Sequence, residues 1–490
     1  MQEALRKHDE TQDTWPQPAD YVAGTFLKPE EELPNTIQDP NTGRDVQKMA
    51  ATSPVKLEEA LAAAWACHRS GAWSSLGAHG RAEKLEEIAI HLSRDAEEIA
   101  QRVSRSTGLV ITRTRSLCRL LPAVFRAAAK QAVLGQTSYL PGAFGSVEVI
   151  KAPLGPALCI TPWNAPAVIA AHKVASALAA GCPAILKPSE WASSATDRVA
   201  EAVIQAGLPE GAFQLVHGGS RVGAQLVEDR RIKAVSFTGG LAGGRAIGRA
   251  CSEQMKPAQL ELGGNNPMVV LRGADLDAAA RGVVTALTEM NGQWCRALGR
   301  LLVDEAVEIP LLERVGERLE ALRIGPSFED SSEMGPLIHH GHKAAMQSAV
   351  RNLQERGGTV FAPSRVPSSG GHFFAPTLVT GCRPADTAEE IFGPVAAVHT
   401  FRTEQEAMEM VHQTPYGLAA YVFGREEDAL SFSRRIEAGM VKVNGVTLTS
   451  LNPAAPRDAW GLSGLGIEGA EETYSFFTGY RVVGVAGRGK

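Results

Sequence analysis

The sequence predicts an α/β protein, and three patterns carry that expectation. From Leu154 to Leu262 short apolar runs alternate with helical stretches, the signature of a parallel, doubly wound sheet. A second α/β segment runs from Pro267 to about Asn444. Between them in kind stands residues 136–152, where Val147 and Val149 alternate with Glu148 and Gly142 and Gly145 supply a turn, as in a β-hairpin leaving the main body.

Taken in order, Asp39-Pro-Asn-Thr-Gly43 is a turn cluster that punctuates an N-terminal strand region. A helix is expected from Lys56 to about Arg69, with Leu57, Ala60, Leu61 and Ala64 on one face. Another is expected from Arg81 to Ser106, where Leu85, Ile88, Leu92, Ile99 and Val103 recur at helical spacing and Gly108 closes the run. A third spans about Arg113 to Ala132. In the alternating region the strands are Ala157–Thr161, Ala184–Lys187, Phe213–Val216 and Ala234–Thr238. The helices between them begin near Pro166, Trp191 and Ser220, and one more follows Gly243. A polar, Gly-rich tail ends in a strand at Tyr480–Val485.

Length and composition exclude several classes of function. The 490 residues allow two to four domains, and 44 % hydrophobic against 21 % charged residues is an ordinary globular balance. A net charge of -5 without a basic block argues against nucleic acid or an anionic membrane as partner. The polar start MQEALRKHDETQDTWP has no apolar core of a signal peptide. The apolar stretch Pro166 to Leu186 is interrupted by His172, Lys173, Gly181 and Pro183, which suits a buried helix and strand better than a membrane span. Seven scattered cysteines without a CxxC signal neither a zinc site nor a disulfide framework, and no metal is expected; a reducing cytoplasm fits.

Open α/β sheets bind ligands at the carboxyl ends of their strands. Three such ends carry polar or glycine clusters: Thr161-Pro162-Trp163-Asn164, Lys187-Pro188-Ser189-Glu190 and Phe237-Thr238-Gly239-Gly240. Together they read as a crevice. The glycines through Gly243 and Gly244 suit either a phosphate at a helix start or a turn that needs close packing. Lys187 and Glu190 suit either a ribose or a solvated surface pair. Cys295, in Asn291-Gly-Gln-Trp-Cys-Arg296, is either a nucleophile or a small core residue. Glu261 closes an apolar strand before Leu262 and two glycines, where a buried acid acts as a base or is held by backbone amides.

Taken together these segments resemble the aldehyde dehydrogenase superfamily over nearly the whole chain. The resemblance rests on Pro162-Trp163-Asn164, Lys187 to Glu190, Phe237 to Gly239 with Gly244, Glu261 to Gly264, Gly292 to Cys295, Glu389 to Val395 and Ser463 to Glu468. The interval of 34 residues from Glu261 to Cys295 also matches. The resemblance implies a Rossmann-type dinucleotide-binding domain (1–132 and 153–262), an α/β catalytic domain (263–450) and a small β oligomerisation arm (133–152 and 470–490). It implies Cys295 as nucleophile, Asn164 with the Cys295 N–H as oxyanion hole, and Glu261 as the base that activates water. Glu261 argues for release of a free acid rather than acyl transfer to coenzyme A. Glu468 occupies the place of a second acid, a proton relay or a surface-facing glutamate.

For the cofactor the resemblance implies NAD, with NADP as the second option. Thr161, Pro162, Trp163, Lys187, Ser189, Glu190, Phe237, Gly239, Gly240, Gly243, Gly244, Leu262, Glu390 and Phe392 would surround it. Lys187 and Glu190 would hold the adenosine ribose, Gly240 and the helix start the pyrophosphate, and Glu390 the nicotinamide ribose. The arm implies a homodimer or homotetramer. Four places depart from the family pattern: Gly240, Met290-Asn291, Trp294 and the loop Asn452–Trp460. Trp294 would narrow the substrate mouth, stack on an aromatic aldehyde, or pack against the wall. The expected substrate is a medium-sized hydrophobic or aromatic aldehyde, with Arg296 and Arg457 keeping an acidic one open. Two rival readings are acyl transfer to coenzyme A and an idle homologue that keeps only the fold.

Overall fold

A computed structural model describes residues 15–135, 137–368, 370–447, 451–452 and 454–487. The polar N-terminal stretch and Pro453 of the 452–460 loop lie outside the described residues.

Two sheets organise the chain. The first has eight strands, in the spatial order Thr25–Leu27, Asp20–Val22, Phe213–Leu215, Ala184–Lys187, Ala157–Ile160, Ala234–Thr238, Ala258–Glu261 and Gly464–Leu465. The five central strands are parallel, and their chain order reverses between Ala157–Ile160 and Ala234–Thr238. A crevice opens at the carboxyl ends where such a sheet reverses, because the following loops diverge to opposite faces. The second sheet has seven strands, from Thr359–Phe361 through Thr377–Thr380, Val395–Phe401, Leu298–Asp304, Asn266–Val270 and Ala420–Phe423 to Val441–Val443. All its neighbours are parallel except the first pair. A third sheet pairs Ser138–Gly142 with Gly145–Pro153 and the latter with Thr478–Val483.

Most elements sit where periodicity places them. The helices Pro54–Ser70 and Gly77–Thr107 bury the predicted faces, and each ends at a left-handed glycine, Gly71 and Gly108. The apolar stretch after Asn164 is the buried helix Pro166–Ala180 and the strand that follows it. No described helix is long and apolar enough to cross a membrane.

Three boundaries differ. The helix expected over 113–132 is two helices, Ile111–Cys118 and Leu121–Leu134. Pro122 has no N–H with which to continue the first one. The helix expected after Gly243 begins at Leu241 with Gly240 as its N-cap, so Gly243 and Gly244 lie inside its first turn. Both are packed upon: a Cβ at Gly243 would stand 3.1 Å from the Phe237 ring, and one at Gly244 only 2.5 Å from Leu262. The last strand is Thr478–Val483 rather than 480–485, its limits set by pairing with 148–153.

One buried charge group fastens the edge of the first sheet. His217 Nδ1 lies 2.8 Å from Asp20 Oδ1 and Nε2 lies 2.9 Å from Asp197 Oδ1, all three residues buried. Burial works against the charged ring, but the two carboxylates outweigh it and raise His217 to about 10. Because the folded value exceeds the ordinary 6.5, the stability from this clamp is fully present below pH 6.5 and is lost as pH rises through about 10. His217→Gln leaves two buried carboxylates without a cation and should destabilise the protein by about 3–5 kcal/mol. Denaturant melts of the two proteins at neutral pH and above pH 10 check this, the difference shrinking at the higher pH.

Candidate active site

Cys295 stands just before the strand Leu298–Asp304 of the second sheet, and Asn164, after the first sheet's strand Ala157–Ile160, reaches its turn. The turn that delivers it is left-handed at three successive residues, Met290, Asn291 and Gly292, with φ of 51°, 57° and 73°. Surrounding contacts hold this turn in place. The Asn291 amide donates to the carbonyls of Gly108 and Pro336, 2.9 Å each, and its Oδ1 accepts from Gly335 N at 2.9 Å. Gly292 has no room for a side chain, since a Cβ would meet Pro394 N at 2.3 Å. Downstream, the Asn266 amide donates to the carbonyls of Cys295 and Ala297 at 2.9 and 2.8 Å. Asn164 donates to the Gln293 carbonyl at 2.8 Å, which tethers its amide beside the nucleophile's turn.

Trp294 is a core residue. It is 8 % exposed and packs in the main core with Met290 and Ala297. Of the roles open to it, wall packing is the one the structure supports.

A buried acid, Glu261, and a largely covered one, Glu468, meet here and are pushed in opposite directions. Glu468 accepts from Lys173 Nζ at 2.9 Å and lies 3.9 Å from Arg457. Burial would raise it, but Lys173, His172 and Arg457 outweigh that and hold it well below the usual range. It is therefore not surface-facing. Lys173 is fully buried and also donates to Ser236 Oγ at 2.8 Å, which in turn donates to Gln259 Oε1 at 2.9 Å. Glu261, 6 % exposed, has a buried Oε1 without a partner. Burial and then the charge of Glu468 raise it well above the ordinary carboxyl range. Cys295 is partly exposed, while its packed surroundings push the thiol up to about 12, with Arg296 pulling the other way. A thiol so placed needs a base, and Glu261 is the nearby acid whose raised pKa suits one.

The remaining predicted residues gather along the crevice. Thr161 is buried with its Oγ1 unpartnered, as is the Oγ1 of Thr238. Pro162 is half-buried, and the Trp163 ring meets Phe392 edge-on at 5.5 Å and His342 at 5.3 Å. Lys187 is buried, donates to the Pro188 carbonyl at 3.1 Å and lies 3.9 Å from Glu190. It is no solvated surface pair. Ser189 Oγ accepts from Trp191 N at 3.4 Å. Gly239 lies under the Phe237 ring, and a side chain at Gly240 would meet nothing within 4 Å, so the helix start is open. Glu390 Oε1 accepts from Gly264 N at 2.8 Å; burial raises it to about 7 against that bond. No described group of His, Cys, Asp or Glu is placed to hold a metal ion.

Sequence reasoning did not assign roles to Lys173, Asn266, Asn291 or His342. Lys173 left a signal, a single cation in an Ala-rich apolar helix. The other three are ordinary residue types whose partners lie far away in the chain.

The model of the aldehyde dehydrogenase family matches residues 26–483. The chain is 34 % identical to a non-phosphorylating aspartate-semialdehyde dehydrogenase of Halomonas elongata, over 92 % of each protein. It is 32 % identical to a succinate-semialdehyde dehydrogenase of Paenarthrobacter nicotinovorans, covering 89 % of this chain and 99 % of that protein. Among solved structures it is similar to betaine aldehyde dehydrogenase from Staphylococcus aureus in complex with NAD+, with a TM-score of 0.92, 27 % identity, and 99 % and 97 % of the two chains covered.

Asn291→Ala should destabilise the protein by about 1–3 kcal/mol or more, because three buried backbone groups lose their partner. Asn291→Gly loses the same bonds but tolerates the left-handed backbone, so it should be the milder variant. Denaturant titrations of both variants measure the two contributions separately.

Proposed function

The chain belongs to the aldehyde dehydrogenase family, and on that premise we propose that it oxidises an aldehyde to the free carboxylic acid through a covalent adduct on Cys295. The observation that carries this reading is Glu261: a buried, unpartnered carboxyl with a raised pKa, in the same crevice as a reachable thiol.

The Cys295 thiolate attacks the aldehyde carbon and forms a C–S bond. The developing alkoxide is met by the Asn164 amide and the Cys295 backbone N–H, donors already fixed before reaction. Glu261 takes the thiol proton at the start. After oxidation it takes a proton from the water that cleaves the thioester, releasing acid and thiol. Glu468, ionised against Lys173, helps hold Glu261 in its high-pKa state, and Glu261 gives up its proton to solvent between the two steps. Acyl transfer to coenzyme A needs no such base.

The similar betaine aldehyde dehydrogenase of Staphylococcus aureus was solved with NAD+, and the crevice suits that cofactor. The open helix start at Gly240, the unpartnered hydroxyls of Thr161 and Thr238, and the Lys187–Glu190 pair are groups that a dinucleotide would satisfy. Lys187 and Glu190 would hold the adenosine ribose, Gly240 the pyrophosphate, and Glu390 and Phe392 the nicotinamide end. NAD, when bound, accepts the hydride. The first sheet with its helices is the dinucleotide-binding domain of this reading, and the second sheet the catalytic domain. The three-stranded sheet exposes Tyr139, Leu140, Tyr480 and Val482 and is the arm through which subunits pair.

Family likeness leaves the charge of the substrate open, because succinate semialdehyde is an anion and betaine aldehyde a cation.

Cys295→Ala should lower aldehyde oxidation roughly 10⁴-fold or more, followed as reduced nicotinamide. Glu261→Gln should slow the first-turnover burst as well as steady turnover, the latter by about 10²–10⁴-fold. In the unmodified enzyme, turnover should climb with pH above the ordinary carboxylate range, as Glu261 gains its base form; the variant should lack that limb. A Cys295→Ala variant as active as the parent, or a thioester product that requires coenzyme A, would falsify the reading.

A further inference from the structure

Arg296 follows the nucleophile directly, yet it is only 9 % exposed and its Nε is buried without a partner. Its guanidinium has no ion-pair or hydrogen-bond partner among the described residues. A buried guanidinium without an anion is costly, so its isolation demands an explanation.

The carboxylates around it are otherwise engaged. Glu468 is held by Lys173 at 2.9 Å and faces Arg457 at 3.9 Å. Glu289 pairs with Arg113. Glu390 accepts from the Gly264 amide at 2.8 Å. Glu261 is held in its neutral form by burial and by Glu468. A second cation adds to the imbalance. Lys442 is 2 % exposed, and its Nζ donates to the Thr447 carbonyl at 2.6 Å. It stands in register with Tyr421 on the neighbouring strand, and the Tyr421 hydroxyl donates to the Arg296 carbonyl at 2.7 Å. Paired residues of parallel strands share a face, so Lys442 and Arg296 lie on the same side of the second sheet. Burial and then Arg296 lower Lys442 to about 8, as expected of two cations sharing one pocket.

We propose that Arg296, backed by Lys442, is an anion-recognition subsite beside Cys295, and that the aldehyde substrate carries a carboxylate within a few carbon atoms of its carbonyl. The planar guanidinium fork matches a carboxylate with two parallel hydrogen bonds. Its place next to the nucleophile limits the substrate to a short chain. This inference rests on the oxidation proposed for Cys295.

The test compares 4-oxobutanoate, butanal, betaine aldehyde and a phosphate-ended aldehyde of similar length as substrates of the unmodified enzyme with NAD. It then repeats the comparison in Arg296→Gln and Arg296→Lys. The unmodified enzyme should prefer 4-oxobutanoate. In Arg296→Gln the ratio of kcat/KM for 4-oxobutanoate over butanal should fall roughly 10- to 100-fold, and Arg296→Lys should recover part of it. Butanal turnover in each variant shows that the variant is folded. Separately, butanedioate should slow alkylation of Cys295 in the unmodified enzyme and not in Arg296→Gln. An unchanged ratio, or a preference for betaine aldehyde, overturns the subsite. A preference for the phosphate-ended aldehyde overturns the carboxylate. If no aldehyde is oxidised the proposed reaction fails, and the alkylation experiment still decides the subsite by itself.

Discussion

The contact between Lys173 and Glu468 decides where the other charges of the crevice stand. Lys173 is a fully buried cation on an apolar helix, and it meets one carboxylate at 2.9 Å. By claiming Glu468 it leaves Glu261 with no cation of its own and with a negative neighbour. Burial and that neighbour together raise Glu261. Two carboxyls in one crevice thus end in opposite states, one fixed as an anion and the other able to exchange a proton near neutral pH. Separation of this kind between paired titratable groups is what acid–base chemistry at neutral pH requires.

Backbone geometry supplies the second constraint. A turn with three left-handed residues in succession is unfavourable, and Met290 in particular gains nothing from it locally. The turn persists because Asn291 is bonded to Gly108, Gly335 and Pro336, and because Gly292 fits against Pro394 where no side chain could. Asn266 and Asn164 then hold the carbonyls on either side of the thiol. Four amide-bearing or glycine positions therefore fix the nucleophile, and each draws on a different part of the chain.

The same logic of charge accounts for the surroundings of the thiol. Arg296 pulls the Cys295 thiol down while burial pushes it up, and burial wins. The guanidinium is too weak, alone, to ionise the thiol. Its larger effect is to leave a positive pocket on the substrate side, with Lys442 behind it.

The sequence by itself determined the α/β class, the two parallel segments, the hairpin, and the places of Cys295, Glu261 and Asn164. These were legible because strand and helix periodicity are local, and because each motif is a short run at a strand end. It misjudged the helix around Pro122 and the start near Gly243, where a single missing N–H or the packing of Phe237 and Leu262 overrides the local pattern. Tertiary structure alone decided that Glu468 is an anion rather than a surface residue, that Trp294 belongs to the core, and that Arg296 has no counter-ion among the described residues. Each of those facts depends on which charges and side chains from distant segments come within a few ångströms of one another inside a low-dielectric crevice, and no spacing along the chain encodes that.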